Sequence, residues 1–315
     1  MASESRVAIY VGVGANVLIA ATKFAAALAT SSSAMVAEGV HSVVDAGDGL
    51  LLLLGQVRAA RPPDEEHPLG HGKELYFWSL IVAVLFFALG GGMSFYEGVQ
   101  HILHPEPIHD PKWNYIVLGM SLTITMVSFA VPFRTFNKRA GARSYWQTFR
   151  QSKDPTIFTL VLEDLADFVG IAFAFAGVYF SHRLGMPALD GIASIGVGVV
   201  MTVVAMLLAR ESKGLLLGES ATRAERARLH EVAREDPDVR SVSRIVTQFL
   251  GPESVLVLMD VSFRDTLDSA ALGDTIDRLE MRIRAAMPAV KHIYVEANSH
   301  KDTTQRSETS RPADQ

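Results

Sequence analysis

Two short patterns hold the side chains best suited to chemistry: His41-Ser42-Val43-Val44-Asp45 and Glu163-Asp164-Leu165-Ala166-Asp167. In each, two metal-competent groups stand four residues apart, which on a helix sets His41 beside Asp45 and Glu163 beside Asp167. Together they offer one imidazole and three carboxylates. That donor set suits a divalent transition metal held tetrahedrally at about 2.0–2.2 Å. Such ligands must be deprotonated to bind, so metal entry expels protons, which is the coupling an antiporter needs.

Both patterns lie in apolar stretches long enough to cross a bilayer, where ionisable groups are expensive and mark function by default. The structural alternative is pairing with basic residues inside the bundle. Lys23 is the one basic residue found within a span, and it falls level with Glu38, so Lys23–Glu38 is expected as a structural pair. The four central groups are then left without a basic partner. Asp164 is about 100° round the helix from Glu163 and cannot fully share its face. It is expected to line the cavity, hydrogen-bond a neighbour or carry protons. Asp48, one turn inward of Asp45, is expected to line the cytoplasmic approach.

A second candidate site is the loop Asp64-Glu65-Glu66-His67-Pro68-Leu69-Gly70-His71-Gly72-Lys73, where two histidines stand four apart beside three acids. Glu97 and His101, near the outer end of the third apolar stretch, form a weaker pair.

The elements that must position these groups follow from composition. The 315 residues are 49% hydrophobic, with mean hydropathy +0.22, and the apolar residues come in blocks. Net charge of -5 argues against a nucleic-acid partner. The absence of cysteine excludes disulfides and thiolate metal sites. The first apolar block is too long for a cleavable signal and continues into a multi-span pattern. Six spans are expected, about Val7–Thr30, Ser33–Leu54, Leu75–His101, Trp113–Phe133, Pro155–Ser181 and Pro187–Ala209. Each has the roughly 20 residues that a bilayer core requires. Asp154 before Pro155 reads as an N-cap and first helical position. Gly90-Gly91-Gly92 permits close helix approach, at the cost of local helix strength.

Basic residues concentrate in the loops after spans two and four: Arg58, Arg61 and Lys73, then Arg134, Lys138, Arg139, Arg143, Arg150 and Lys153. The positive-inside rule therefore puts both termini in the cytoplasm. At 1.5 Å per residue, His41 and Asp45 lie roughly 12 and 18 Å below the outer end of span two. Glu163 and Asp167 lie roughly 12 and 18 Å above the inner end of span five, which runs the other way. Glu163 is thus level with Asp45, and Asp167 with His41.

After Ala209 the composition changes. Helix Arg223–Arg234, strands Val242–Phe249 and Ser254–Phe263, helix Asp268–Met287 and strand His292–Ala297 are expected, with a turn at Gly251-Pro252. Val255-Leu256-Val257-Leu258-Met259 reads as a buried strand. The αββαβ order suits an open-faced α+β sandwich. Three regions result: a six-helix transmembrane transport domain (1–211), a cytoplasmic α+β domain (212–300) and a polar tail, 301–315, expected to be disordered.

The run Ala37-Glu38-Gly39-Val40-His41-Ser42-Val43-Val44-Asp45, followed by His67-Pro68-Leu69-Gly70-His71-Gly72-Lys73-Glu74, resembles the cation diffusion facilitators over roughly residues 6–298. The resemblance implies a homodimeric membrane exporter of zinc or a similar divalent ion, exchanged for protons by alternating access. His41 and Asp45 match the family's second-span ligands. Asp167, followed by Gly170, matches its fifth-span aspartate, and Asp64, His67 and His71 match a loop site of some members. Where that family usually has histidine, Glu163 stands here, as in a divergent zinc-transporter branch. A carboxylate hardens the site, so iron(II), manganese and cobalt join zinc as candidate cargoes. The tail domain, with only His230, His292 and His300, is expected to serve dimerisation, and Lys73 and the basic loops dimer contacts or the hinge to that domain. An intramembrane metalloenzyme would need a motif such as HExxH, which is absent. A transport-inactive regulatory subunit is the remaining alternative.

Overall fold

The computed structural model describes residues 2–30, 33–104, 111–141 and 144–298. By internal packing the chain divides into two units: Met1–Ala60 with Glu74–Gly214, and Arg61–Lys73 with Leu215–Gln315.

The first unit is helical. It contains α1 (Ala2–Thr30), α2 (Ser33–Ala59), α3 (Glu74–Leu85), a π-helical turn (Phe86–Gly92), α4 (Met93–Leu103), α5 (Pro111–Ala140), α6 (Tyr145–Gln151), α7 (Pro155–Leu184) and α8 (Ala188–Leu217). Among the described residues, four helical stretches are long and apolar enough to cross a membrane: Arg6–Ala25, Glu74–Leu103, Asn114–Lys138 and Ala188–Leu217. The acidic pairs lie on the other two long helices, α2 and α7.

Local chemistry sets the ends of α7. The Asp154 carboxylate accepts from the Thr156 N–H at 3.1 Å, Pro155 occupies the first turn, and Gly185 closes the helix at φ +64°. That left-handed conformation is where glycine carries no Cβ penalty. α6 was not foreseen from the sequence. It is a short helix capped by the Ser144 hydroxyl, which accepts from the Gln147 N–H at 3.2 Å.

The glycine run widens the helix between α3 and α4 into the π turn and also packs it closely on α8. A Cβ on Gly91 would come within 2.7 Å of Thr202 Oγ1 and 3.3 Å of the Gly198 carbonyl oxygen. Small residues at a membrane helix interface allow this approach.

The second unit holds α9 (Arg223–Arg234), β1 (Val239–Gly251), β2 (Ser254–Phe263), α10 (Ser269–Ala286) and β3 (Val290–Ala297). The sheet order is β1-β2-β3, with β2 antiparallel to β1 and parallel to β3. Thr222 and Glu225 form a reciprocal capping box at the start of α9. Leu229 and Val232 of α9, with Leu279 and Ile283 of α10, cover Val255, Val257, Met259 and Val261. Both helices lie on that one face. Leu258, expected to be buried, is therefore 41% exposed on the other, in a cross-strand row with Val246 and Tyr294. Tail residues 301–315 lie outside the described residues.

Candidate metal centre

α1, α2, α5 and α7 line a cavity that is partly open to its surroundings. Its acidic lining comes from α2, through Asp45, and from α7, through Glu163, Asp164 and Asp167. Glu163 and Asp167 share a face through their four-residue spacing. Asp164 reaches the same cavity from the flank, so one stretch of α7 presents three carboxylates. Asp48, 2% exposed, lies close enough for its charge to act on Glu163, as do those of Asp45, Asp164 and Asp167. Glu163 Oε1 is buried and has no hydrogen-bond partner among the described residues.

None of the described lining residues is basic. Carboxylates gathered this closely repel one another in so apolar a setting. A metal cation, or protons, would relieve that repulsion. His41 and Glu38 lie outside the residues whose side chains are described. Lys23, expected opposite Glu38, is 7% exposed and donates from Nζ to Ser42 Oγ at 3.1 Å, one turn along α2 from Glu38.

Three lining residues escaped the sequence reading: Asn16 of α1, and Ser128 and Pro132 of α5. Their signal was present, as polar residues and a proline inside apolar stretches, but nothing in the sequence joins them to α2 and α7. Phe86, the first residue of the π turn, also lines the cavity.

The loop site forms within the second unit. Asp64, His67 and His71 each point a ligand atom inward, all within 4.8 Å of one another. His71 Nε2 donates to Asp64 Oδ2 at 2.9 Å, and the His67 backbone N–H donates to Asp64 Oδ1 at 2.6 Å. These bonds, that of His71 first, hold the Asp64 carboxyl below its usual range. The two imidazole rings lie 4.3 Å apart. Gly70, at φ +85°, makes the turn, and Gly72 lies against the backbone of Leu250 and Gly251. Lys73 ends this loop. Elsewhere in the first unit, His101 Nδ1 lies 3.4 Å from Asp190 Oδ2, a contact joining α4 to α8.

Several known proteins are similar to this chain. The human mitochondrial proton-coupled zinc antiporter SLC30A9 is 29% identical over 313 residues, covering 87% of this chain and 55% of that protein. Metal tolerance protein C4 of Arabidopsis thaliana is 29% identical, covering 95% of this chain and 75% of the relative. Magnetosome protein MamM of Paramagnetospirillum magneticum is 24% identical, covering 96% and 90%. The chain thus spans about half the length of the SLC30A9 relatives it matches. The family model for the cation efflux transmembrane domain matches residues 9–217, more than half of the chain. On that match, the chain belongs to the cation efflux, or cation diffusion facilitator, family.

Proposed function

We propose that this protein is a transporter, not an enzyme, and exports divalent transition metal cations from the cytoplasm in exchange for protons. The observation that carries the proposal is the cavity: four carboxylates from α2 and α7 line it, and Glu163 Oε1 is buried with no hydrogen-bond partner among the described residues. Zinc is the first-choice cargo, supported by the names of the SLC30A9 relatives, with iron(II), manganese and cobalt as alternatives. Asp45, Glu163 and Asp167, with His41, hold the ion. Asp164 carries a proton or lines the path, and Asp48 lines the cytoplasmic approach. Metal entry displaces protons from these ligands, and protons arriving from the opposite side displace the metal as the helices exchange access.

The rest of the architecture follows the same reading. α1, α2, the α3–α4 helix, α5, α7 and α8 make six membrane spans, with both termini cytoplasmic. Asp64, His67 and His71 form a second metal station on the cytoplasmic side, and Lys73 takes part in dimer contacts or the hinge. The α+β domain, 212–300, serves homodimerisation. The exposed cross-strand row Val246, Leu258 and Tyr294 supports this role, because an apolar face on a small sheet favours a partner.

The test is metal uptake into proteoliposomes with an imposed pH gradient. Zinc, iron(II), manganese and cobalt would be compared for wild type, Asp45→Ala and Glu163→His. Gradient-driven flux abolished by Asp45→Ala supports the exporter. A changed metal preference with Glu163→His makes that glutamate a selectivity ligand. No flux of any metal from well-folded wild type sinks the proposal and leaves the regulatory subunit.

A further inference from the structure

Besides the carboxylates, α1 and α5 give the cavity a lining of different chemistry. Asn16 of α1 and Ser128 of α5 line it, and neither side chain hydrogen-bonds another described residue. Two hydroxyls of α5 fold back on the helix: Thr123 donates to the Gly119 carbonyl at 2.8 Å and Thr135 to that of Val131 at 3.1 Å. Ser128, like Ser121 and Thr125, makes no such bond among the described residues. Pro132, four residues on, also lines the cavity and has no N–H to give to the Ser128 carbonyl. Ser128, a lining residue, thus carries two neutral oxygens, a hydroxyl and a carbonyl stripped of its helical donor. Helix carbonyls released in this way are ion ligands in transporters of other folds.

We propose that Asn16 and Ser128 are specificity-determining ligands, supplying neutral oxygens that raise the coordination of the transported ion above four. The inference rests on the reading of this cavity as the ion site. Four ligands from α2 and α7 satisfy tetrahedral zinc. Manganese, iron(II) and cobalt accept six-coordinate oxygen-rich sites, and hard neutral oxygens complete such a shell without adding charge. The α1–α5 wall therefore decides whether the octahedral ions share the pathway with zinc.

Cobalt(II) tests this without relying on transport, because its visible absorption is intense in a tetrahedral site and weak in an octahedral one. The full-length protein is loaded with cobalt in a His67→Ala/His71→Ala background, which silences the loop. Asn16→Leu, Ser128→Ala and Pro132→Ala are compared in that background, the last returning an N–H to the Ser128 carbonyl. Weak absorption that intensifies in the Asn16 and Ser128 variants is expected. Manganese flux should also fall on the order of tenfold while zinc flux changes little. An intense spectrum already present in the parent, or equal losses of zinc and manganese flux in folded variants, overturns the proposal. Cobalt binding that survives Asp45→Ala together with Glu163→Ala overturns the underlying cavity reading instead.

Discussion

Gly98 and Gly191 face each other so closely that a methyl group on either would stand 2.7 Å from the other's carbonyl oxygen. With Gly91 and Gly198 two turns further along, the pair lets the α3–α4 helix and α8 meet backbone to backbone. Gly98→Ala or Gly191→Ala should destabilise the protein by about 1–3 kcal/mol through overpacking. Gly92→Ala is the control, because its nearest neighbour would be 3.6 Å away. Thermal unfolding in detergent separates the two cases: equal melting temperatures for Gly98→Ala and Gly92→Ala would disprove the close contact.

The carboxylate wall makes a sharper demand on charge than on shape. Glu163→Gln keeps the volume and one carbonyl oxygen but removes a charge beside Asp45, Asp164 and Asp167. Zinc flux should fall on the order of tenfold or more, with the fold intact. Unchanged flux would remove Glu163 from the ligand set. Asp164→Asn is expected to alter the pH dependence of flux more than zinc affinity, which zinc titrations at two pH values would check.

In the loop, the direct bond from His71 gives a pH prediction. Asp64 is held below its ordinary value of 3.8, so the charged form is favoured by the folded loop. The stabilisation is fully present above that value and is lost as pH falls through the lower, folded one. His71→Ala removes the largest cause. The carboxyl carbon resonance of Asp64 should then titrate at higher pH than in wild type. A midpoint that does not move would mean that the bond is absent in solution.

The sheet domain has its own polar anchor. The Asp236 side chain is fully enclosed, accepts from the Asp238 N–H at 3.1 Å, and faces Arg278 at 3.5 Å and Arg282 at 3.9 Å. Asp236→Ala should cost about 3 kcal/mol, the low end for breaking a buried pair, since both arginines remain half exposed and can rehydrate. Hydrogen exchange at the β2 amides reads this directly, and protection equal to wild type would refute it.

Legibility in the sequence followed how local each signal was. Asp154-Pro155 placed the start of α7 to the residue, because an N-cap and a first-turn proline act on the backbone beside them. Helix Arg223–Arg234 and strand Ser254–Phe263 were read with their observed ends. That Asp45, Glu163 and Asp167, which line one cavity, could approach the same level was also legible, since helical rise sets depth along α2 and α7. Asn16, Ser128 and Pro132 were not. An isolated polar residue in an apolar span has no periodic partner, so only the packing of four helices reveals where it points. Likewise Gly90-Gly91-Gly92 announced an irregular, close-packed place, yet nothing local chooses a π turn over a kink.

The loop Arg61–Lys73 leaves the helical unit, packs with the sheet domain, and returns to start α3. The polypeptide therefore passes between the two units three times, at 60/61, 73/74 and 214/215. A stop codon after residue 214 does not produce a clean helical unit. It leaves Gly72 without the Leu250–Gly251 backbone it rests on, and with it the seat of the Asp64–His67–His71 cluster. The shortened protein would lose the arrangement of Asp64, His67 and His71 without a single substitution among them.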